Sequence, residues 1–275
     1  MNRINRLLQA KQQDIQSVYF CAGHPTLQST VPTLQALVRS GIDMVEIGVP
    51  FSDPIADGPV IQQAATTALQ GGMTLRLLLS QLHNIRRGLD QGGIGDDTPL
   101  LLMGYLNPLL HYGLDTLCQQ CEDIGIDGLI IPDLPFDDYL HTLRPIAQAH
   151  GLRIVMLITP ETSDQRIRLI DQHTDSFIYA VSTPSTTGAK DHFTADTINY
   201  FRHIRQLRLR NNHLIGFGIS NPQTFNTARQ HAAGTIIGSQ FVQLLQDTQD
   251  PEQAIQLLLR KIGASPHPIG REGDS

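Results

Sequence analysis

A single closed (β/α)8 barrel, the TIM-barrel class of α/β fold, is predicted for this chain of 275 residues. Three observations predict it. Short apolar, β-branched runs recur eight times along the chain, and the segments between them repeat apolar residues at helical spacing. The length also suits one barrel, since such folds commonly use about 250 residues for a single domain. Alternating strands and helices imply a parallel sheet, and eight such units close on themselves.

The elements follow in order. Residues 4–13 read as an extra amino-terminal helix that covers the lower end of the barrel. The strands are expected over 17–22, 43–48, 99–104, 127–132, 153–158, 176–181, 213–218 and 234–238. Val31, Leu34, Leu37 and Val38 mark the helix of the first connection; Leu140, Leu143, Ile146 and Ala147 mark the fourth, and Ile198, Phe201 and Ile204 the sixth. Gly92, Gly93 and Gly95 with three aspartates make 89–98 a loop and not a domain boundary. An additional short helix starts at Ser239, before the last barrel helix. The barrel domain is assigned to 1–263, with 264–275, which carries two prolines and no periodicity, as a loose tail. An open doubly wound sheet is the rival architecture, but the turn after the first strand reads CAGHPT, without the GxGxxG of a dinucleotide fold.

Composition narrows the functional classes. Lys and Arg total 20 against 26 Asp and Glu, a net charge of −6 that disfavours a nucleic-acid partner. No apolar run approaches the roughly 20 residues that span a bilayer, and the start lacks a signal-peptide pattern. Cys21, Cys118 and Cys121 are too few and too odd for a disulfide framework. The expectation is a soluble, cytoplasmic protein.

In such barrels the active site lies at the carboxyl ends of the strands. The second strand and its loop read DMVEIGVPFSDPIADGP, and Glu46 interrupts an otherwise apolar run. Alternation places Met44, Glu46 and Gly48 on one face and Val45 and Ile47 on the other, so Glu46 points into the barrel if the latter pair face the helices. A buried carboxylate costs several kcal/mol unless protonated or paired, so catalysis is favoured over a structural role. Asp57 follows in a loop stiffened by Pro50, Pro54 and Pro59; Asp57 or Gly58 caps the helix that Pro59 opens. Strands six to eight end in VSTPSTTGAK, GFGISNP and IIGSQF. Gly188, Gly218, Gly238 and Ser239 there suit a phosphate ester, because glycines admit an anion to backbone N–H groups and a helix starting at Ser239 adds its own donors. The three lysines, Lys11, Lys190 and Lys261, all lie off the strands, which disfavours a Schiff base. No His/Asp/Glu cluster has metal-ligand spacing, so no metal is expected. The residues describe carboxylate acid–base chemistry on a phosphorylated substrate.

These residues carry a resemblance to a known family. EIGVPFSDPIADGPVIQ (46–62), LLMGYLNP (101–108), DGLIIPDLP (127–135), GFGIS (216–220) and IIGSQFV (236–242) make the chain resemble tryptophan synthase alpha subunits from about Val18 to the last helix. The resemblance implies a lyase that cleaves indole-3-glycerol phosphate to indole and glyceraldehyde 3-phosphate. It also implies no cofactor in this chain and a beta-subunit partner, carrying pyridoxal phosphate, in an alpha–beta–beta–alpha assembly. It implies Glu46 as general acid–base, Asp57 as the carboxylate holding the indole N–H, and Gly188, Gly218, Gly238 and Ser239 on the phosphate. Tyr19, Leu102, Ile130, Tyr179, Thr187 and Phe217 are implied to line or support the indole pocket, and Pro50, Asp53, Asn107 and Pro108 to face the partner. The chain departs from the family pattern at His24, where an acidic residue is common, and at Ser185 and Thr186 in the strand-six loop.

Two features have structural readings. Cys118 and Cys121 are buried or half-buried helix thiols, and Arg202, Arg205, Arg208 and Arg210 form a solvated row. Alternatives to the synthase subunit are a stand-alone lyase, another phosphate-barrel enzyme such as a sugar-phosphate isomerase, and a non-catalytic subunit that only activates a partner.

Overall fold

A computed structural model describes residues 1–182 and 192–264. Strands β1 (Ile15–Cys21) and β2 (Met44–Gly48) are joined by α2 (Thr30–Arg39), after an opening helix α1 (Arg3–Ala10). Helices α3 (Pro59–Gln70) and α4 (Leu75–Leu82) lead to β3 (Leu100–Met103); α5 (Leu106–Tyr112) and α6 (Leu114–Ile124) lead to β4 (Gly128–Ile130). A segment of α7 (Phe136–Asp138), a π turn and α8 (Arg144–Ala149) precedes β5 (Arg153–Ile158), and α9 (Asp164–His173) precedes β6 (Ile178–Val181). The chain continues through α10 (Ala195–Gln206), β7 (His213–Gly216), α11 (Pro222–His231) and β8 (Gly234–Ile237), and ends in α12 (Ser239–Thr248) and α13 (Pro251–Ile262). All strands are parallel and each pairs with its sequence neighbour, β8 closing on β1. This is the predicted (β/α)8 barrel, with the expected helix inserted before the last one.

The strands expected from apolar runs all form, with ends adjusted by pairing. β1 starts at Ile15 because Ile15 and Gln16 find partners in Gly234 and Thr235. β4 shrinks to three residues because its flanks are otherwise engaged. Asp127 accepts ion pairs from Arg3 at 3.0 Å and Arg86 at 2.8 Å, while Pro132 has no N–H to offer a ladder. The opening helix is shorter than 4–13 and stops at Ala10. It seals the amino-terminal end as expected: Ile4 is fully buried, and Asn2 and Asn5 each donate at 2.8 Å, to the carbonyls of Asp127 and Asp175. The 89–98 loop contains one 3-10 turn, Leu89–Gln91.

Register fixes which side chains face inward. Tyr19, Glu46 and Leu101 pair across β1, β2 and β3 and share the barrel interior, whereas Val45 and Ile47 face the helices. Burying that second face against α2, α3 and their neighbours forms the main core. The same alternation leaves the inner face free to carry polar groups at the carboxyl ends. Cys118 and Cys121 are free and buried on α6, in agreement with their structural reading.

Candidate active site

Glu46 is fully buried inside the barrel, as strand alternation requires. Its Oε1 accepts a hydrogen bond from Ser17 Oγ at 2.8 Å, while Oε2 has no partner. Burial pushes the carboxyl up to about 7, against a smaller lowering by the Ser17 hydroxyl. Ser17 lies two residues before Tyr19, towards the amino ends of the strands, so the carboxyl group is drawn back from the mouth. Glu46 accordingly does not reach the wall of the mouth cavity in this conformation.

Asp57 sits at the mouth, 4% exposed. Gly58 takes the helix cap and Pro59 the first position of α3, so the Asp57 side chain is released from capping. Its Oδ2 accepts from Tyr105 Oη at 2.8 Å, and that same hydroxyl accepts the Ala56 N–H at 2.9 Å. Asp57 Oδ1 has no partner. Burial raises this carboxyl to about 6, with the Tyr105 hydrogen bond opposing the rise. Tyr105 is fixed in turn by Phe51, with ring centroids 5.4 Å apart. Tyr105 is not among the residues expected from the sequence, although it follows the end of β3, where strand-end residues belong to the site.

Between Asp57 and the β7–β8 end lies a cavity of about 300 Å³. Tyr19, Met103, Tyr179 and Phe217 form much of its apolar wall. Glycines make room for two of these rings. A Cβ at Gly48 would overlap the Tyr19 ring, and one at Gly216 the Tyr179 ring. Phe217 adopts the left-handed region at φ 68° and lies 6.2 Å from Tyr179; Ser182 Oγ donates to its carbonyl at 2.8 Å. Residues with bulky side chains rarely hold such a φ, and strained backbone of this kind clusters at functional sites.

Gly218, Gly238 and Ser239 line the far end. Gly238 precedes the first turn of α12, and its carbonyl takes the N–H groups of both Phe241 and Val242. The N–H groups of Ser239 and Gln240 are left at the start of the helix, where an anion is favoured. Lys261, on α13, reaches the same wall. It lies far in sequence from any strand end, so no local signal marked it.

The predicted pocket residues are not all brought together. Leu102 is out of phase: it pairs with Ile47 on the helix-facing side, and period-two alternation puts Met103 in the cavity instead. Ile130 shares the inner face with Met103 but is fully buried and does not reach the cavity wall. Gly188, Thr187, Ser185 and Thr186 lie outside the described residues. His24 is 2% exposed at the end of β1, and burial lowers its pKa. Among the described residues no group of three or more His, Cys, Asp or Glu is arranged to hold a metal, and no helix is long and apolar enough to cross a membrane.

Of the residues expected to face a partner, Asp53 and Asn107 are exposed, Pro108 is half-buried and Pro50 is buried. Two large apolar side chains stand out beside them, Ile55 at 78% and Leu110 at 51% exposure.

A family model for the tryptophan synthase alpha chain matches residues 6–265. The tryptophan synthase alpha chain of Phocaeicola vulgatus is 56% identical over 263 residues, 95% of this chain and 99% of that one. That of Bacteroides fragilis is 53% identical over 258 residues, covering 94% and 95%. Among solved structures, tryptophan synthase subunit alpha from Legionella pneumophila superimposes with a TM-score of 0.83 at 32% identity, covering 95% of this chain and 97% of that one. An aminoacrylate-bound tryptophan synthase from M. tuberculosis superimposes at 0.80 with 25% identity, covering 97% and 100%.

Proposed function

This chain belongs to the tryptophan synthase alpha chain family, and we propose that Glu46 and Asp57 carry out its cleavage of indole-3-glycerol phosphate to indole and glyceraldehyde 3-phosphate. One observation carries this assignment of roles. Two buried carboxylates with raised pKa values stand on a single βα unit, beside a cavity whose opposite end offers glycines and a helix start. Perturbed carboxylates in a cleft are the usual mark of acid–base work.

The chemistry follows from the two environments. A carboxyl at about 7 is available in both protonation states near neutral pH, which suits a group that gives and then takes a proton. Glu46 protonates indole C3, producing an indolenine-like cation. Asp57, at about 6 and mainly ionised at neutral pH, accepts the ring N–H and stabilises that cation. Glu46, now a carboxylate, takes the proton of the side-chain hydroxyl on the carbon attached to C3. The C–C bond breaks, its electron pair returns to the ring, and the hydroxyl-bearing carbon becomes the aldehyde. One proton has been given and one recovered, so Glu46 is regenerated. For this Glu46 turns from Ser17 towards the cavity, a rotation that the unpartnered Oε2 does not oppose.

The phosphate is held by the N–H groups at Gly218, Gly238 and Ser239, with Lys261 adding a positive charge. Tyr19, Met103, Tyr179 and Phe217 enclose the indole; Gly188 and Thr187 keep the phosphate and pocket roles of the resemblance. Ile55 and Leu110, with Asp53, Asn107, Pro50 and Pro108, form the surface for a beta subunit, which supplies the pyridoxal phosphate chemistry that consumes the indole. The proposed compartment is the cytoplasm, in keeping with three free thiols.

Indole release by the purified chain, with and without a beta subunit, tests this reading. Slow release that rises sharply with the partner is the expected result. Fast release that ignores the partner identifies a stand-alone lyase. No release under either condition, with a complex still forming, leaves a partner-activating subunit and removes the roles given to Glu46 and Asp57.

A further inference from the structure

A second cavity, of about 240 Å³, opens at the other end of the barrel, beside the amino ends of β7 and β8. The arginine row expected to be merely solvated contributes to it. Arg205 and Arg208 line one side, Arg229 of α11 lines another, and His213 and His231 complete the polar wall. Among the described residues no aspartate or glutamate lines it. Asp14, outside the wall, is engaged by Arg229 at 2.6 Å. Arg205 donates to the Gln230 carbonyl at 3.3 Å, and the Arg208 guanidinium meets no acid among the described residues.

The imidazoles show the same imbalance. His231 Nδ1 is buried without a partner, and His213 Nε2 donates to the His231 carbonyl at 3.0 Å. Burial, and after it the positive field of Arg202 and Arg205, lowers the His231 pKa. With Arg229 held by Asp14, the Arg205 and Arg208 guanidinium groups share the concave wall without a paired acid among the described residues, and such a wall favours a counter-charge. Planar guanidinium forks match the paired oxygens of phosphate or carboxylate groups.

We propose that this cavity binds a compact anion of charge −2 or more, bearing phosphate or carboxylate oxygens, at a site separate from the substrate cavity. Arg205 and Arg208 supply the forks, Arg229 closes the far side while its Nε stays on Asp14, and the unpartnered Nδ1 of His231 is left for a remaining oxygen.

Titration calorimetry on the full chain at low salt tests it, with inorganic pyrophosphate and citrate as the two probes. At least one probe is expected to bind, and the tighter of the two identifies the head group. R208Q is expected to weaken binding several-fold and R205Q/R208Q about tenfold or more, with indole release in the absence of probe unchanged. R208Q is informative by itself because, among the described residues, the Arg208 side chain is in no ion pair. K261Q, at the other end of the barrel, is expected to bind the probe as the wild type does. Equal affinity in the wild type and R205Q/R208Q overturns the proposal. So does loss of binding in K261Q, which places the probe at the substrate cavity, or no binding of either probe.

Discussion

Replacing Tyr105 with Phe removes one hydroxyl and leaves the ring on Phe51. The lost hydrogen bond, 2.8 Å from hydroxyl to Asp57 Oδ2, is the one partner the structure gives that carboxylate, since Oδ1 has none. A hydrogen bond to a charged group contributes about 1.5–3 kcal/mol. At 1.36 kcal/mol per pKa unit, its loss raises the Asp57 pKa by about one to two. The sign is fixed: the bond stabilises the ionised form, so Y105F holds its proton to higher pH. Starting from about 6, the ionised fraction at pH 7 falls from about nine-tenths to between about half and a tenth. Ligand affinity that depends on the carboxylate falls in proportion and returns at higher pH. The assay is calorimetric binding of indole-3-glycerol phosphate to E46Q and E46Q/Y105F from pH 5.5 to 9. The shared E46Q background is expected to slow turnover at least about 10²-fold and removes Glu46's own titration, and the substrate phosphate titrates alike in both proteins. Parallel profiles, or a loss of affinity constant across pH, would refute the reasoning.

Three further outcomes follow from the same geometry. Burial holds the folded-state pKa of Glu46 at about 7 against the ordinary 4.5 of a free glutamate, so the native state binds more protons than the unfolded chain between those values. Stability therefore falls as pH rises through that window, and E46Q should gain roughly 3 kcal/mol over wild type at pH 8 and little at pH 4 in denaturant titrations. K261Q should raise KM for the phosphorylated substrate about fivefold at low ionic strength with kcat nearly unchanged, and the difference should shrink in high salt. G216A forces a methyl group against the Tyr179 ring, so it should cost about 1–3 kcal/mol, or roughly 2–4 °C in Tm per kcal/mol, and should raise KM through the displaced ring. A Tm and KM equal to wild type would mean that Gly216 does not set the position of Tyr179.

The parts legible in the sequence were those governed by local periodicity. Eight apolar runs and the helical spacing between them suffice for the barrel, and alternation alone turns Glu46 inward while Pro59 places the start of α3. The resemblance, and not alternation, put Leu102 in the pocket, where the register puts Met103. What stayed hidden depends on long-range meetings. Tyr105 meets Asp57 across 48 positions of chain, and Lys261 reaches the glycine-lined end of the cavity from the last helix. Glu46's turn towards Ser17 is a rotamer choice that strand patterning does not encode. The arginine row had helical spacing consistent with a solvated face, and only the approach of α11 shows that it borders a cavity.

The central claim is that Glu46 moves both protons of the cleavage. It is tested most directly by single-turnover indole release from indole-3-glycerol phosphate, comparing wild type and E46Q in complex with a beta subunit. E46Q is expected to bind substrate and partner normally yet release indole at least about 10²-fold more slowly, the lower range for a positioned acid–base group. Release at the wild-type rate by E46Q would contradict it.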